Sequence, residues 1–335
     1  MRIALDAMGG DYAPAPIVQG ALQAVRSDAE MHVVLVGDQA QIEPLLTGAD
    51  DVRARLEISH ASQVISMEES PAMAFRKKPD NSISKCWQLL AQKKVDAIVG
   101  AGNTGAMVAG GFLLRLFLKG VKRPGIAALM PTQKGLSVLL DVGANVHPKP
   151  EHLYQYGVMG NIFAKHILKI DKPKIALLNV GSEEDKGNEL AKETQELFRN
   201  SPLKDQFIGN IEGRDINKGV CEVIVTDGFV GNVVLKVCEG VFEFVMKVVG
   251  REVMSTLKSE IPLAQLALQN IIKRYDYQEL GGAPLLGVDG ICIICHGSSK
   301  ERAIEIALNV AAKHARAGLN ALIVKELASA PAGAE

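Results

Sequence analysis

The chain is 335 residues long, with 37 Lys and Arg against 38 Asp and Glu, a formal net charge of −1, and 47% hydrophobic residues. That composition is ordinary for a globular fold and excludes disorder, a collagen-like repeat and a disulfide-dense scaffold. Near-neutral charge and only 4% aromatic residues also argue against nucleic acid as a partner, which asks for a basic surface or a stacking platform.

In chain order, Arg2–Asp6 reads as a strand and residues 14–26 as a helix, followed by strands at His32–Gly37 and Leu56–His60. A helix is predicted at 82–93, a strand at Ala97–Gly100, a helix at 106–119, and strands at 126–130 and 137–141. Next come a helix at 154–168, a strand at 175–180, a helix at Glu189–Arg199 and a strand at 222–226. The pattern then gives a helix at 233–249, with Val234, Val237, Val241, Val245 and Val248 as its apolar face, a strand at 291–296 and a strong helix at 300–315. Such alternation predicts an α/β fold, a mostly parallel sheet covered by helices on both faces. The Ala/Pro tail at 328–335 is expected to be disordered.

The longest apolar run, 106–118, contains Arg115 and is shorter than the roughly 20 residues that span a bilayer. The opening MRIALDAMGGDYAPAP is interrupted by Asp6 and Asp11 and does not read as a signal peptide. Five cysteines, an odd number, read as reduced thiols. The expectation is a soluble cytoplasmic protein.

Ligands of open α/β sheets bind at the carboxyl ends of the strands. There the chain carries GAGNTG (100–105), DVGAN (141–145), NVGS (179–182), TDGFVGN (226–232) and HGSS (296–299). Helix N-termini with exposed N–H groups suit anions, so these turns together predict a polar crevice.

The run 100–105 matches the dinucleotide fingerprint G-x-G-x-x-G, but the following LKGVKRPGIAA lacks the acidic residue that would hold a ribose. A tight turn with close helix packing is the simpler reading. Cys292-Ile-Ile-Cys295-His296 spells a haem-attachment motif, yet thiols three apart on a strand point to opposite faces, so this is read as a buried strand. Ser298 lies three before Glu301, a capping-box spacing, compatible with an anion under the same N–H groups and with His296 and Lys300 nearby. Ser182 is placed to cap a helix, with Lys186 reaching back into the crevice, and Asn232 is either an N-cap or a functional amide. Asp6 and Asp11 form either a turn or a pair of metal ligands. No paired histidine or cysteine cluster supports a tightly held metal, and no cofactor is expected. Segment 255–275 is either a core or subunit-interface helix or a shallow membrane-surface helix.

LDAMGGD (5–11), AGNTGA (101–106), LDVGAN (140–145), NVGSEEDKGN (179–188), TDGFVGNV (226–233), GGAPLLGVDG (281–290) and HGSS (296–299) occur in that order. On these motifs the chain resembles the bacterial phosphate acyltransferases of phospholipid synthesis, from residue 1 to about 327. The resemblance implies a phosphotransacetylase-like fold, also similar to isocitrate and isopropylmalate dehydrogenases. One α/β lobe would hold 1–125 plus 283–327 and the other 126–282. It implies transfer of a long-chain acyl group from acyl carrier protein to inorganic phosphate, without a cofactor. It further implies a homodimer, peripheral membrane contact and coupling to a membrane glycerol-3-phosphate acyltransferase.

Phosphate is a competent nucleophile and a thioester is already activated, so positioning and oxyanion stabilisation suffice. No G-x-S-x-G elbow argues for a covalent intermediate. The expected phosphate site is Gly297, Ser298 and Ser299, with Gly102, Asn103 and Thr104 opposite as donors and Asn145 in the same crevice. Asn232 is the candidate second oxyanion donor. Asp227 would orient a neighbour or take a proton, and His296 and Lys186 would stabilise charge. The alternatives are an NAD(P)-dependent dehydrogenase of the isopropylmalate type and a non-catalytic membrane adaptor.

Overall fold

The computed structural model describes residues 1–257, 260–275 and 280–329. The β-branched runs form β1 (Arg2–Asp6), β2 (His32–Gly37), β3 (Leu56–His60), β4 (Ala97–Gly100), β5 (Gly125–Thr132), β6 (Gly135–Leu140), β7 (Ile175–Leu178), β8 (Phe207–Ile211), β9 (Val223–Val225), β10 (Ala283–Leu286) and β11 (Ile291–Ile294). The helices are α1 (Ala15–Ser27), α2 (Gln39–Ile42), α3 (Pro71–Lys77), α4 (Ser82–Ala91), α5 (Thr104–Leu113), α6 (Pro150–His166), α7 (Glu189–Arg199), α8 (Gly228–Thr256), α9 (Ile261–Tyr275), α10 (Glu301–Arg316) and α11 (Leu319–Ser329).

All strands join one sheet in the order β3-β2-β1-β4-β11-β10-β5-β6-β9-β7-β8. The outer sets are parallel, as expected of an α/β fold. The middle differs. β10 is antiparallel to both β11 and β5, and β5 to β6, so the two parallel sets run in opposite directions. The Gly- and Asn-rich turns therefore do not share one edge. β10 and β8 went unpredicted because Pro284 and Gly209 break their strand signals.

Period-two alternation sends side chains to both faces, and both are covered. Ile3, Leu5, Val33 and Leu35 pack beneath α1 and α10, whereas Ala4, Val34 and Ile98 meet Trp87 of α4. In the other set Val138, Leu140, Val223 and Ile175 pack on Tyr156 and Phe163 of α6 and on Ile323 of α11. Each such aliphatic side chain contributes about 1.5–3 kcal/mol when fully buried. Cys292 and Cys295 are free, buried thiols in and just after β11, as the strand reading requires; burial pushes the Cys295 thiol up to about 12.

α8 and α9 depart from expectation. Among the described side chains, only Gly228 and Gly231 of α8 are buried and none of α9 is. Val237, Val241, Val245 and Val248 of the predicted apolar face stand in solvent, as do Leu263 and Leu266 of α9, because the helical pair extends beyond the sheet it would need for cover. Segment 255–275 is thus the end of α8, a link whose residues 258–259 lie outside the described residues, and the whole of α9. Among the described residues no helix is long and apolar enough to cross a membrane. Residues 330–335 of the tail expected to be disordered also lie outside them, while 328–329 close α11.

Candidate active site

A cavity of about 430 Å³ lies over β11, β10 and β5, between the first turn of α5 and the flank of α8. Its wall includes Thr104, Gly143, Asn232 and His296, drawn from four of the five predicted turns, of which 226–232 continues into α8. The turn after β7, with Lys186, is not on that wall. Lys186 is exposed in the loop that leads to α7.

The turn after β4 is built by close backbone approach. A Cβ on Gly9 would stand 2.6 Å from both the Gly102 nitrogen and Asp6 Oδ2, so only glycine fits there. Gly102 and Asn103 are buried and Thr104 is exposed. Asn103 is the N-cap of α5: its Oδ1 accepts from Ala106 N at 2.9 Å. Its Nδ2 donates to the carbonyls of Ser66, Met67 and Glu69 at 3.0–3.1 Å. Asn103 thus holds the 66–69 loop against the helix start, and Thr104 is the hydroxyl left facing the cavity.

Asp6 ends β1 under this turn and is 1% exposed. Its Oδ1 accepts from Met8 N at 3.2 Å, while Oδ2 has no hydrogen-bond partner. Burial pushes the carboxyl up to about 6, against the pull of the nearby Ser82 hydroxyl and the Met8 and Gly9 N–H groups. Asp11, the other acid of the motif, is exposed. Its N–H donates to Gly297 O at 2.8 Å.

On the far side, Asp141 organises the turn after β6. Oδ1 accepts from the N–H groups of Ile126, Gly143 and Ala144, and Oδ2 from Asn145 N at 2.7 Å. Asn145 Nδ2 donates to Pro124 O and Tyr156 Oη, each at 2.7 Å, and Asn145 O accepts from Gly228 N at 2.9 Å. Asn145 therefore ties the start of α8 to this turn and is not on the cavity wall. Asp227, not Asn232, caps α8: its Oδ1 accepts from Phe229 N and Val230 N, both at 2.9 Å. That leaves Asn232 inside the first turns, beside Gly143, where a Cβ on the glycine would lie 3.8 Å from Asn232 Cγ.

His296 follows β11 and is exposed. Its Nδ1 accepts from Ser298 N at 3.2 Å and lies 2.8 Å from Ser298 Oγ. With Nδ1 accepting from the Ser298 backbone N–H, the proton of the neutral ring stands on Nε2. Ser299 is 3% exposed and its N–H donates to His296 O at 3.0 Å. Ser298 does not cap α10, as its spacing suggested: the N-cap is Lys300, which supplies no side-chain acceptor, because Ser298 is held back by the imidazole. The first N–H groups of α10 thus lack intrahelical partners and a side-chain cap, an arrangement suited to an anion. Lys300 lies over the Tyr12 ring, 5.8 Å from its centroid. Ser182 likewise caps nothing. α7 begins later, with Asn188 Oδ1 accepting from Ala191 N at 3.0 Å.

Leu235, Lys236 and Glu239 of α8 also line the cavity, and sequence reasoning missed them. Their signal is the i+3, i+4 and i+7 spacing from Asn232, which the stronger apolar period of the outer-face valines obscures. Among the described residues no cluster of three or more His, Cys, Asp or Glu is placed to hold a metal.

Residues 1–322 match the family model described as fatty acid synthesis protein. The chain is 48% identical to a phosphate acyltransferase of Dictyoglomus turgidum, over 98% of each chain. It is 49% identical to one of Heliobacterium modesticaldum, over 93% of each. Among solved structures it is similar to a phosphotransacetylase of Streptococcus pyogenes, with a TM-score of 0.60, 17% identity and 94% of each chain covered. A branched-chain phosphotransacylase of Enterococcus faecalis gives a TM-score of 0.55 at 13% identity, covering 93% of this chain and 98% of that one. At those identities the two structures speak for the fold.

Proposed function

The chain belongs to the phosphate acyltransferase family of lipid synthesis, and on that premise we propose that it transfers a long-chain fatty acyl group from acyl carrier protein to inorganic phosphate. The observation that carries this reading is the single cavity that gathers Thr104, Asn232 and His296 onto an otherwise largely apolar wall, beside the uncapped start of α10. Phosphate sits against Gly297–Ser299 and the first N–H groups of that helix. The thioester carbonyl lies toward Thr104, Asn232 and His296 Nε2–H.

A phosphate oxygen attacks the carbonyl carbon, and the tetrahedral oxyanion is met by these fixed donors. Preoriented donors of this kind are each worth about 3–4 kcal/mol in acyl transfer. The C–S bond then breaks, giving the acyl phosphate, and the proton carried by hydrogen phosphate ends on the departing thiol. Gly102, Asn103, Asn145 and Asp227 act as positioning groups, since their polar atoms or backbone hold the turns together. Lys186, on the exposed loop before α7, supplies positive charge to the incoming substrate.

The same reading divides the chain into a lobe of 1–125 plus 283–327 and a lobe of 126–282, with α11 packed across onto α6. It assigns the uncovered valine face of α8 and the exposed leucines of α9 to a homodimer and to peripheral membrane contact, in the cytoplasm. The product would pass to a membrane glycerol-3-phosphate acyltransferase. The test is thiol release from a long-chain acyl carrier protein thioester, together with hydroxylamine trapping of acyl phosphate. Both should rise with phosphate concentration, and Ser299→Ala should raise the phosphate KM. Phosphate dependence unchanged in Ser299→Ala would refute the phosphate site, and release without hydroxamate would indicate a thioesterase.

A further inference from the structure

The reacting cavity does not end at its polar groups. A second cavity, of about 110 Å³, shares Leu129, Leu235 and Glu239 with it and continues between α8 and β5 as far as Phe242 and Tyr275. On α8 the walls of the two cavities together run through Asn232, Leu235, Cys238 and Phe242, at spacings of three and four that keep one helix face toward β5. Those side chains are partly covered beyond Asn232, whereas Val237, Val241 and Phe244 on the outer face are exposed. The groove face is thus separate from the uncovered valine face. The one charged residue of the second cavity's wall among the described residues, Glu239, is paired with Lys236 Nζ at 2.8 Å.

We propose that this groove holds the acyl chain of the substrate, with the thioester at Asn232 and the terminal methyl at the Phe242–Tyr275 ring pair. The inference rests on the acyl-transfer reading and adds a measure of chain length. The ten residues from Asn232 to Phe242 advance about 15 Å along α8. The opposite wall, from Ile126 to Pro131 on β5, advances about 17 Å. An extended chain gains about 1.2 Å per bond, a third of the span of one extended residue. The groove therefore takes about twelve carbon–carbon bonds before it meets the two rings, whose centroids are 6.5 Å apart. Cys238 stands about 9 Å from Asn232 along the helix, or about seven bonds, so a hexanoyl chain stops short of it and a dodecanoyl chain passes it.

The experiment compares dodecanoyl and hexanoyl thioesters of pantetheine in phosphate-dependent thiol release by the parent and by Cys238→Trp. The indole should lower the dodecanoyl-to-hexanoyl ratio of kcat/KM by more than about tenfold, the burial value of only two methylenes. A ratio unchanged by Cys238→Trp overturns the assignment. Independently of turnover, Cys238 is the only cysteine of the chain that is not buried, so its alkylation by a maleimide reports occupancy. Dodecanoyl pantetheine should slow that labelling and hexanoyl pantetheine should not; equal labelling rates overturn the groove. A parent that turns over neither these thioesters nor the long-chain acyl carrier protein thioester refutes the acyl-transfer reading, and the labelling rates still decide the groove.

Discussion

Replacing Asp6 with Asn removes the one buried carboxyl beneath the turn after β4 and should change how stability depends on pH. In the folded chain the carboxyl is lifted from 3.8 to about 6, chiefly by burial. The folded state therefore binds this proton more tightly than the unfolded state, and the parent loses stability as pH rises between those two values. The full cost stands above the folded value and is absent below the unfolded one. At about 1.4 kcal/mol per pKa unit, the shift corresponds to about 3 kcal/mol. Cys86, the titratable neighbour on α4, is itself held well above its ordinary value by burial and stays protonated across that range. Asn cannot ionise, and any cost of its amide is the same at every pH. Urea unfolding of both proteins from about pH 4 to about pH 7, extrapolated linearly, should show the variant gaining on its parent by up to about 3 kcal/mol. A difference that stays constant with pH would refute the account, because it would mean that Asp6 carries the same charge folded and unfolded.

Asn103→Ala should cost about 2–3 kcal/mol by loss of the α5 cap and of the tether to the 66–69 loop. Asn103→Asp keeps the cap but turns a carboxylate on three carbonyls, and should be no more stable than the alanine. Chemical denaturation with proteolysis near residue 67 reads both. Asp227→Asn should retain most activity, since the amide oxygen still caps α8, whereas Asp227→Ala should lose about 1 kcal/mol of stability with some rate. If Asp227→Asn is as impaired as the alanine while equally folded, as judged by thermal melting and kcat, the aspartate is a proton acceptor rather than a positioning group.

Periodicity and turn chemistry in the chain were enough for the α/β class, for nearly every strand of the parallel sets and for the buried nature of Cys292 and Cys295, because those follow from local alternation. Likewise Thr104, Asn232 and His296 could be singled out by residue type at turns that follow strands. What each polar side chain does was decided only in three dimensions. Asn103 and Asn145 look from sequence like groups for a ligand, yet their amides donate to the carbonyls of Ser66, Met67, Glu69 and Pro124 and to Tyr156 Oη. Asp227 takes the capping position that was one of two readings of Asn232, and Ser298 gives up its cap to the imidazole two residues before it. The reversal of direction through β10, the exposure of the α8 valines and the groove along the opposite face of that helix depend on contacts between segments more than a hundred residues apart. No window of sequence contains both partners of such a contact, so only the assembled fold can set it.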